Sequence, residues 1–212
     1  MSSHSDAVFR RIVLVRHGES TANLEHTLTG RMDSELTSGG LRQSRRAARY
    51  ICRRIEPVEI IYSSPLKRCR HTAQIIAQHM RRRHRIKADL EEDDLLLETD
   101  FGSWEGKGRE DLISNPEWEH YVRDPFHFTF PGGESPQQVK ERVEYFLQKL
   151  LSNKDRCTVV VVTHYTPIAF LVLHVMGNVE GNGAPFAIDN GSVTVLQITD
   201  TGGYIELLNC IP

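Results

Sequence analysis

Short apolar runs alternate along this chain with longer segments whose apolar residues recur at helical spacing. Ile12-Val13-Leu14-Val15 reads as a buried strand, being continuous and mostly β-branched. Thr37-Ser38-Gly39-Gly40 then offers hydroxyl caps for a helix. In that helix Leu41, Ala48, Ile51, Cys52 and Ile55 share one face, while Arg42, Arg45, Arg46, Arg49 and Arg53 take the other. Glu59 to Ser63 reads as a second strand. Lys67 to about His84 reads as a second helix, with Cys69, Ala73, Ile76, Ala77 and Met80 turned inward. A short strand is expected over 85–89. Ser135 to Leu151 is again helical, on the spacing of Val139, Val143, Phe146, Leu147 and Leu150. Thr158 to Val162 is the most hydrophobic strand and belongs at the centre of a sheet. A helix over Pro167–Met176 follows, with proline in its tolerated first turn. Ser192–Thr199 and Tyr204–Leu208 close the chain as a hairpin.

Strand and helix in alternation predict an α/β fold: three layers, α/β/α, around a mainly parallel central sheet. Between 101 and 136 the periodicity fades. Both tryptophans and several phenylalanines lie there, so this stretch is expected to be an irregular insertion with short helices near Arg109–Val122, capping a pocket. At 212 residues the whole chain, 1–212, is expected to be one domain. The composition, 39% hydrophobic and 25% charged with a formal charge of −2, is that of an ordinary globular protein. It offers no whole-chain attraction to nucleic acid or an anionic membrane. No apolar run could span a bilayer and the N-terminus does not resemble a secretory signal, so a cytoplasmic location is expected by exclusion. The four cysteines are scattered, which suits reduced, buried thiols.

In a parallel sheet the strand ends share one edge, and ligands bind there. The first strand delivers Arg16-His17 to that edge. The second leads into Ser63-Ser64-Pro65-Leu66-Lys67-Arg68, and the central one into Thr163-His164. Two arginines and two histidines exceed what carbonyl chemistry needs and suit the three equatorial oxygens of a phosphoryl group. Imidazole can attack phosphorus covalently, and guanidinium forks match phosphate oxygens. Other polar clusters are weaker. His71, His79 and His84 have no metal-ligand pairing, and Arg81-Arg82-Arg83-His84-Arg85 is offset by the acids that follow and lacks interleaved aromatics. Neither zinc nor nucleic acid is expected.

The segment Leu14-Val15-Arg16-His17-Gly18-Glu19-Ser20 with Asn23 resembles the signature of the histidine phosphatase superfamily, in its phosphoglycerate-mutase-like branch. Four further segments resemble family motifs in the same order. They are Thr29-Gly30-Arg31-Met32-Asp33 with Leu36-Thr37, Ser63 to Arg68 with Thr72-Ala73, Glu98 to Gly106, and Val161 to His164. The resemblance implies that His17 attacks phosphorus and carries a phosphohistidine. It implies that Arg16, Arg68, His164 and Asn23 donate to the phosphoryl oxygens, and that Glu98 protonates the leaving oxygen and then activates water. Thr29, Gly30, Phe101 and Lys107 are implied to line the substrate site; Tyr165, a departure from the family pattern, is expected there too, to donate through its hydroxyl or merely to fill space. No metal and no cofactor are implied, and the partner is a small phosphorylated metabolite, with a homodimer as a further expectation.

Hydrolase and mutase differ in how they treat the phosphohistidine. The resemblance assigns mutases a C-terminal lid, and this chain stops at Asn209-Cys210-Ile211-Pro212, directly after its last strand. Mutases also carry paired arginines before the position of Pro131, where this chain has Arg123-Asp124-Pro125 and Phe126 to Phe130. His127, Thr129 and Gly132 stand where the fructose-bisphosphatase branch is basic. Tyr165 stands where mutase-like members have glycine, although Lys107 keeps the mutase pattern. A phosphate-monoester hydrolase with an aromatic leaving-group pocket, built in part by Phe126, Phe128 and Phe130, is therefore expected. A cofactor-dependent phosphoglycerate mutase and a catalytically idle phospho-ligand-binding module remain the alternatives.

Overall fold

The computed structural model describes residues 10–56, 58, 60–152, 158–177, 184–199 and 202–212. Strand β1 (Arg10–Arg16) is followed by a one-turn helix α1 (Thr21–Leu24) and by α2 (Ser38–Arg54). Next come β2 (Ile60–Ser63), α3 (Lys67–His84), β3 (Asp89–Glu92) and the short helices α4 (Arg109–Ile113) and α5 (Trp118–Arg123). Helix α6 (Pro136–Ser152), β4 (Thr158–Thr163), α7 (Tyr165–Val175), β5 (Val193–Thr199) and β6 (Gly202–Cys210) complete the order. The six strands form one sheet in the order β3-β2-β4-β1-β5-β6. The first four are parallel; β5 and β6 add antiparallel.

Both sheet faces are covered, which is why β1 and β4 read as unbroken apolar runs. Ile12, Leu14, Tyr62, Val159 and Val161 face α6 and α7, where they meet Phe146 and Leu171. Val13, Val15, Ile61, Val160 and Val162 face α2 and α3, against Ile51 and Ile76. Residues 101–136 build a separate aromatic cluster in which Trp104 packs against Phe128, Phe130 and Tyr121. Among the described residues no helix is long and apolar enough to cross a membrane.

Several expected boundaries move. The strand expected over 85–89 lies at Asp89–Glu92, because Arg85 ends α3 in the left-handed region at φ 60°. Its four residues are exposed, as suits an edge strand. Helix α7 begins at Tyr165 with His164 as N-cap, so Pro167 is its third residue. On α2 it is Ser44 and Ala47, not Leu41, that join Ala48 and Ile51 inside, since Leu41 is only half-buried. Cys52 and Cys69 are buried free thiols, but Cys210 is half-exposed. Glu59 and Cys157 lie outside the described residues.

Candidate active site

The register of the central strands pairs Arg16 with Thr163 and Ser63 with Val162. His17, Ser64 and His164 therefore leave the sheet at nearly the same height on one edge. The turn after β1 also requires Gly18, because the start of α2 presses on it. A Cβ there would lie 2.3 Å from the Gly40 carbonyl oxygen. Close backbone approach, more than φ freedom, accounts for glycine here.

His17 is 3% exposed, and its Nδ1 lies 2.8 Å from the Gly18 carbonyl oxygen. A carbonyl only accepts, so Nδ1 carries the hydrogen and Nε2 keeps its lone pair. Burial, then the charges of Arg68 and Arg16, push the His17 pKa well below the usual histidine value. The ring is thus a neutral base with a free nitrogen. His164 is fully buried, with its ring centroid 5.0 Å from that of His17 at 65°. Its Nε2 is 2.8 Å from Ser64 Oγ and 3.4 Å from Cys69 Sγ. Burial followed by Arg68 lowers its pKa in the same direction.

The two arginines are fixed by backbone carbonyls. Arg68 donates through Nη2 to the Gly30 oxygen (2.7 Å) and through Nη1 to the Met32 oxygen (2.8 Å). Arg16 donates through Nη1 to the Ile188 oxygen at 2.6 Å, and its guanidinium lies 5.7 Å from the Tyr165 ring centre. Its Nε is buried with no hydrogen-bond partner among the described residues, a donor still in need of an acceptor. Burial pushes the Arg16 pKa down, against the favourable charges of Glu98 and Asp189.

Arg16, His17, Asn23, Thr29, Gly30, Arg68, Glu98, Phe101 and Tyr165 all line one cavity of about 260 Å³. His164 sits behind His17, outside that lining. Lys107 does not join it: the side chain is exposed, and the residue contributes backbone hydrogen bonds to Leu28 and Trp104. The outer walls are Leu28, Tyr121, Pro125, Phe126, Phe130 and Phe170. Phe128 faces away, into the Trp104 cluster. The lining holds His17 and the charged groups Arg16 and Arg68, at or after the ends of β1 and β2, together with Glu98.

Sequence reading missed three supports. Ser64 holds His164. Arg142 on α6 donates to the carbonyl oxygens of Leu95 and Glu98 and pairs with Glu134, fixing the segment that carries Glu98. Asn190 donates to the His17 carbonyl oxygen and to Asn23 Oδ1. The Ser63-Ser64 motif signalled the first; nothing in the chain signalled the other two, whose bonds to the Glu98 and His17 carbonyls span 44 and 173 residues.

A buried neutral histidine beside two carbonyl-anchored guanidiniums at the carboxyl edge of a parallel sheet is an arrangement that suits an oxyanion. Residues 12–211 match the histidine phosphatase superfamily (branch 1), and the chain belongs to it. Phosphoserine phosphatase 1 of Hydrogenobacter thermophilus is 32% identical over 201 residues, covering 94% of this chain and 92% of that protein. A 2,3-bisphosphoglycerate-dependent phosphoglycerate mutase of Parvibaculum lavamentivorans is 28% identical over 201 residues, covering 92% and 93%. The mycobacterial glucosyl-3-phosphoglycerate phosphatase Rv2419c, solved with VO3, superposes with a TM-score of 0.82 at 25% identity, covering 95% and 99%. Within the family this chain is a phosphoric monoester hydrolase.

Proposed function

We propose that the chain hydrolyses small phosphate monoesters through a phosphohistidine on His17. The observation that carries this reading is the Nδ1–Gly18 hydrogen bond, which leaves Nε2 unprotonated between Arg16 and Arg68. Nε2 attacks phosphorus in line, the N–P bond forms and the ester P–O bond breaks. Charge shifting onto the equatorial oxygens is met by Arg16 Nε, which has no acceptor among the described residues, and by the Arg68 fork. His164 adds a third donor. Its Nε2 meets Ser64 Oγ at 2.8 Å; with the Ser64 hydroxyl donating there, the ring hydrogen sits on Nδ1 and is the one His164 would offer to the phosphoryl group. Glu98, half-buried in the same cavity, protonates the departing oxygen and later takes a proton from the water that opens the N–P bond.

Residues 101–136 act as the cap over the leaving group. Phe101, Phe126, Phe130 and Tyr121 give that end of the cavity ring faces and no cation, so leaving groups with exposed carboxylates gain nothing there. Aryl or otherwise apolar monoesters fit it best. The names of the relatives supply the comparison compounds. A panel of p-nitrophenyl phosphate, phosphoserine, glucosyl-3-phosphoglycerate and 3-phosphoglycerate is assayed for phosphate release and for mutase interconversion. The expected result is highest kcat/KM on the aryl ester, no mutase turnover, and loss of at least about 10⁴-fold in His17→Ala. Full activity in His17→Ala would falsify the reading.

A further inference from the structure

We infer that Asn190 is a positioning residue which, together with the backbone N–H of Ser20, holds the direction of the Asn23 side-chain amide, so that its NH2 group rather than its oxygen meets the phosphoryl group. This rests on the phosphohistidine reading above. An amide's two ends are interchangeable in shape, and only its neighbours decide which end faces a ligand. Here the neighbours leave no choice. The His17 carbonyl can only accept, and Asn190 Nδ2 lies 3.2 Å from it, so the nitrogen end of Asn190 is fixed at that spot. The same Nδ2 is 3.2 Å from Asn23 Oδ1, which must then be the accepting end. The backbone N–H of Ser20, an obligatory donor, reaches that oxygen at 3.1 Å, and Ser20 Oγ lies 3.0 Å from it. With its oxygen met by these donors, Asn23 keeps its NH2 for the cavity that it lines.

Asn190 is itself well anchored. Gly191 N–H donates to the carbonyl oxygens of both Arg16 and His17, and the Ile188 carbonyl takes Arg16 Nη1. Asp189 and Asn209 exchange two hydrogen bonds of 2.7 Å, from Asp189 N–H to Asn209 Oδ1 and from Asn209 Nδ2 to Asp189 Oδ2. The end of β6 thereby ties down a loop that orients two phosphate-binding side chains without itself lining the cavity.

The test is a double-mutant cycle on kcat/KM with p-nitrophenyl phosphate, using Asn190→Leu, Asn23→Ala and the pair, with Tm and inhibition by vanadate recorded for each. Asn190→Leu should lose up to as much as Asn23→Ala, about 10²–10³-fold on general grounds for one oxyanion donor. The double variant should lose little more than Asn23→Ala, because both remove one donor. Asn190→Asp sets an acceptor against two acceptors and should lose more than Asn190→Leu at equal Tm. If Asn190→Leu does not fold, Asn190→Ser replaces it in the cycle, with the same expectation. Multiplicative losses in the cycle, or unchanged kcat/KM and vanadate inhibition in the Asn190 variants, overturn the inference. His17→Ala run alongside separates the two failures: its inactivity upholds the phosphohistidine reading whatever the cycle returns.

Discussion

At the scale of single residues, the chemistry depends on which hydrogen each polar group holds. The proposed nucleophile His17 keeps one nitrogen unprotonated because a backbone carbonyl takes the hydrogen on the other, and because burial and two cations keep the ring uncharged. Glu98 has the complementary task in the proposed mechanism, carrying a proton in and out, and this can be probed apart from phosphate binding. An aryloxide departs without help, whereas an alkoxide needs the proton. Glu98→Gln should therefore leave kcat/KM for p-nitrophenyl phosphate within about 10-fold while lowering that for an alkyl phosphate by about 10²–10⁴-fold. Equal losses on both esters would assign Glu98 to binding instead.

At the scale of elements, the site depends on loops held by backbone groups. Residues 30–32 supply both carbonyls that grip Arg68, and Gly30 sits at φ +46° with no room for a side chain. A Cβ would lie 2.1 Å from Glu105 Oε1 and 2.7 Å from the Thr99 carbonyl oxygen. Gly30→Ala should cost about 1–3 kcal/mol in unfolding free energy and lower kcat/KM, as urea denaturation and kinetics on one sample will register. Wild-type values for both would detach this loop from Arg68. The same level separates what could be read in the chain from what could not. The strands β1 and β4 were legible because burial on both faces leaves an unbroken apolar run, and the arginines and histidines follow directly at their ends. The expected strand at 85–89 misplaced β3, since an exposed edge strand has little hydrophobic pattern to betray it. Lys107 was drawn toward the pocket by motif position alone, and its side chain lies in solvent. The roles of Arg142 and Asn190 at the site were invisible because each reaches it through a backbone carbonyl far away in the chain, and a carbonyl has no sequence signature.

At the scale of the molecule, the buried histidines link catalysis to stability. His17 and His164 are held neutral in the fold, with pKa values well below the ordinary 6.5, while in the unfolded chain each titrates near that value. Below about pH 6.5 the unfolded chain binds the extra protons, so stability falls as pH falls, by at most about 1.4 kcal/mol per pH unit for each group. Glu134, held below the usual carboxylate range by its hydrogen bond and charge pairing with Arg142 despite the opposing cost of burial, contributes in the same direction only at more acidic pH. Urea unfolding at pH 7, 6 and 5 should show a steady decline, made shallower by His164→Gln. A profile flat between pH 7 and 5 would mean that these rings accept protons in the folded state as readily as in water.

The most direct measurement is rapid quenching of the enzyme with a 32P-labelled monoester, followed by mass mapping of the labelled peptide. The account predicts one phosphoryl group per chain on the peptide containing His17, labile to acid and stable to base, and absent from His17→Asn. Phosphate release at the wild-type rate with no acid-labile label, or a label on any other residue, would contradict it.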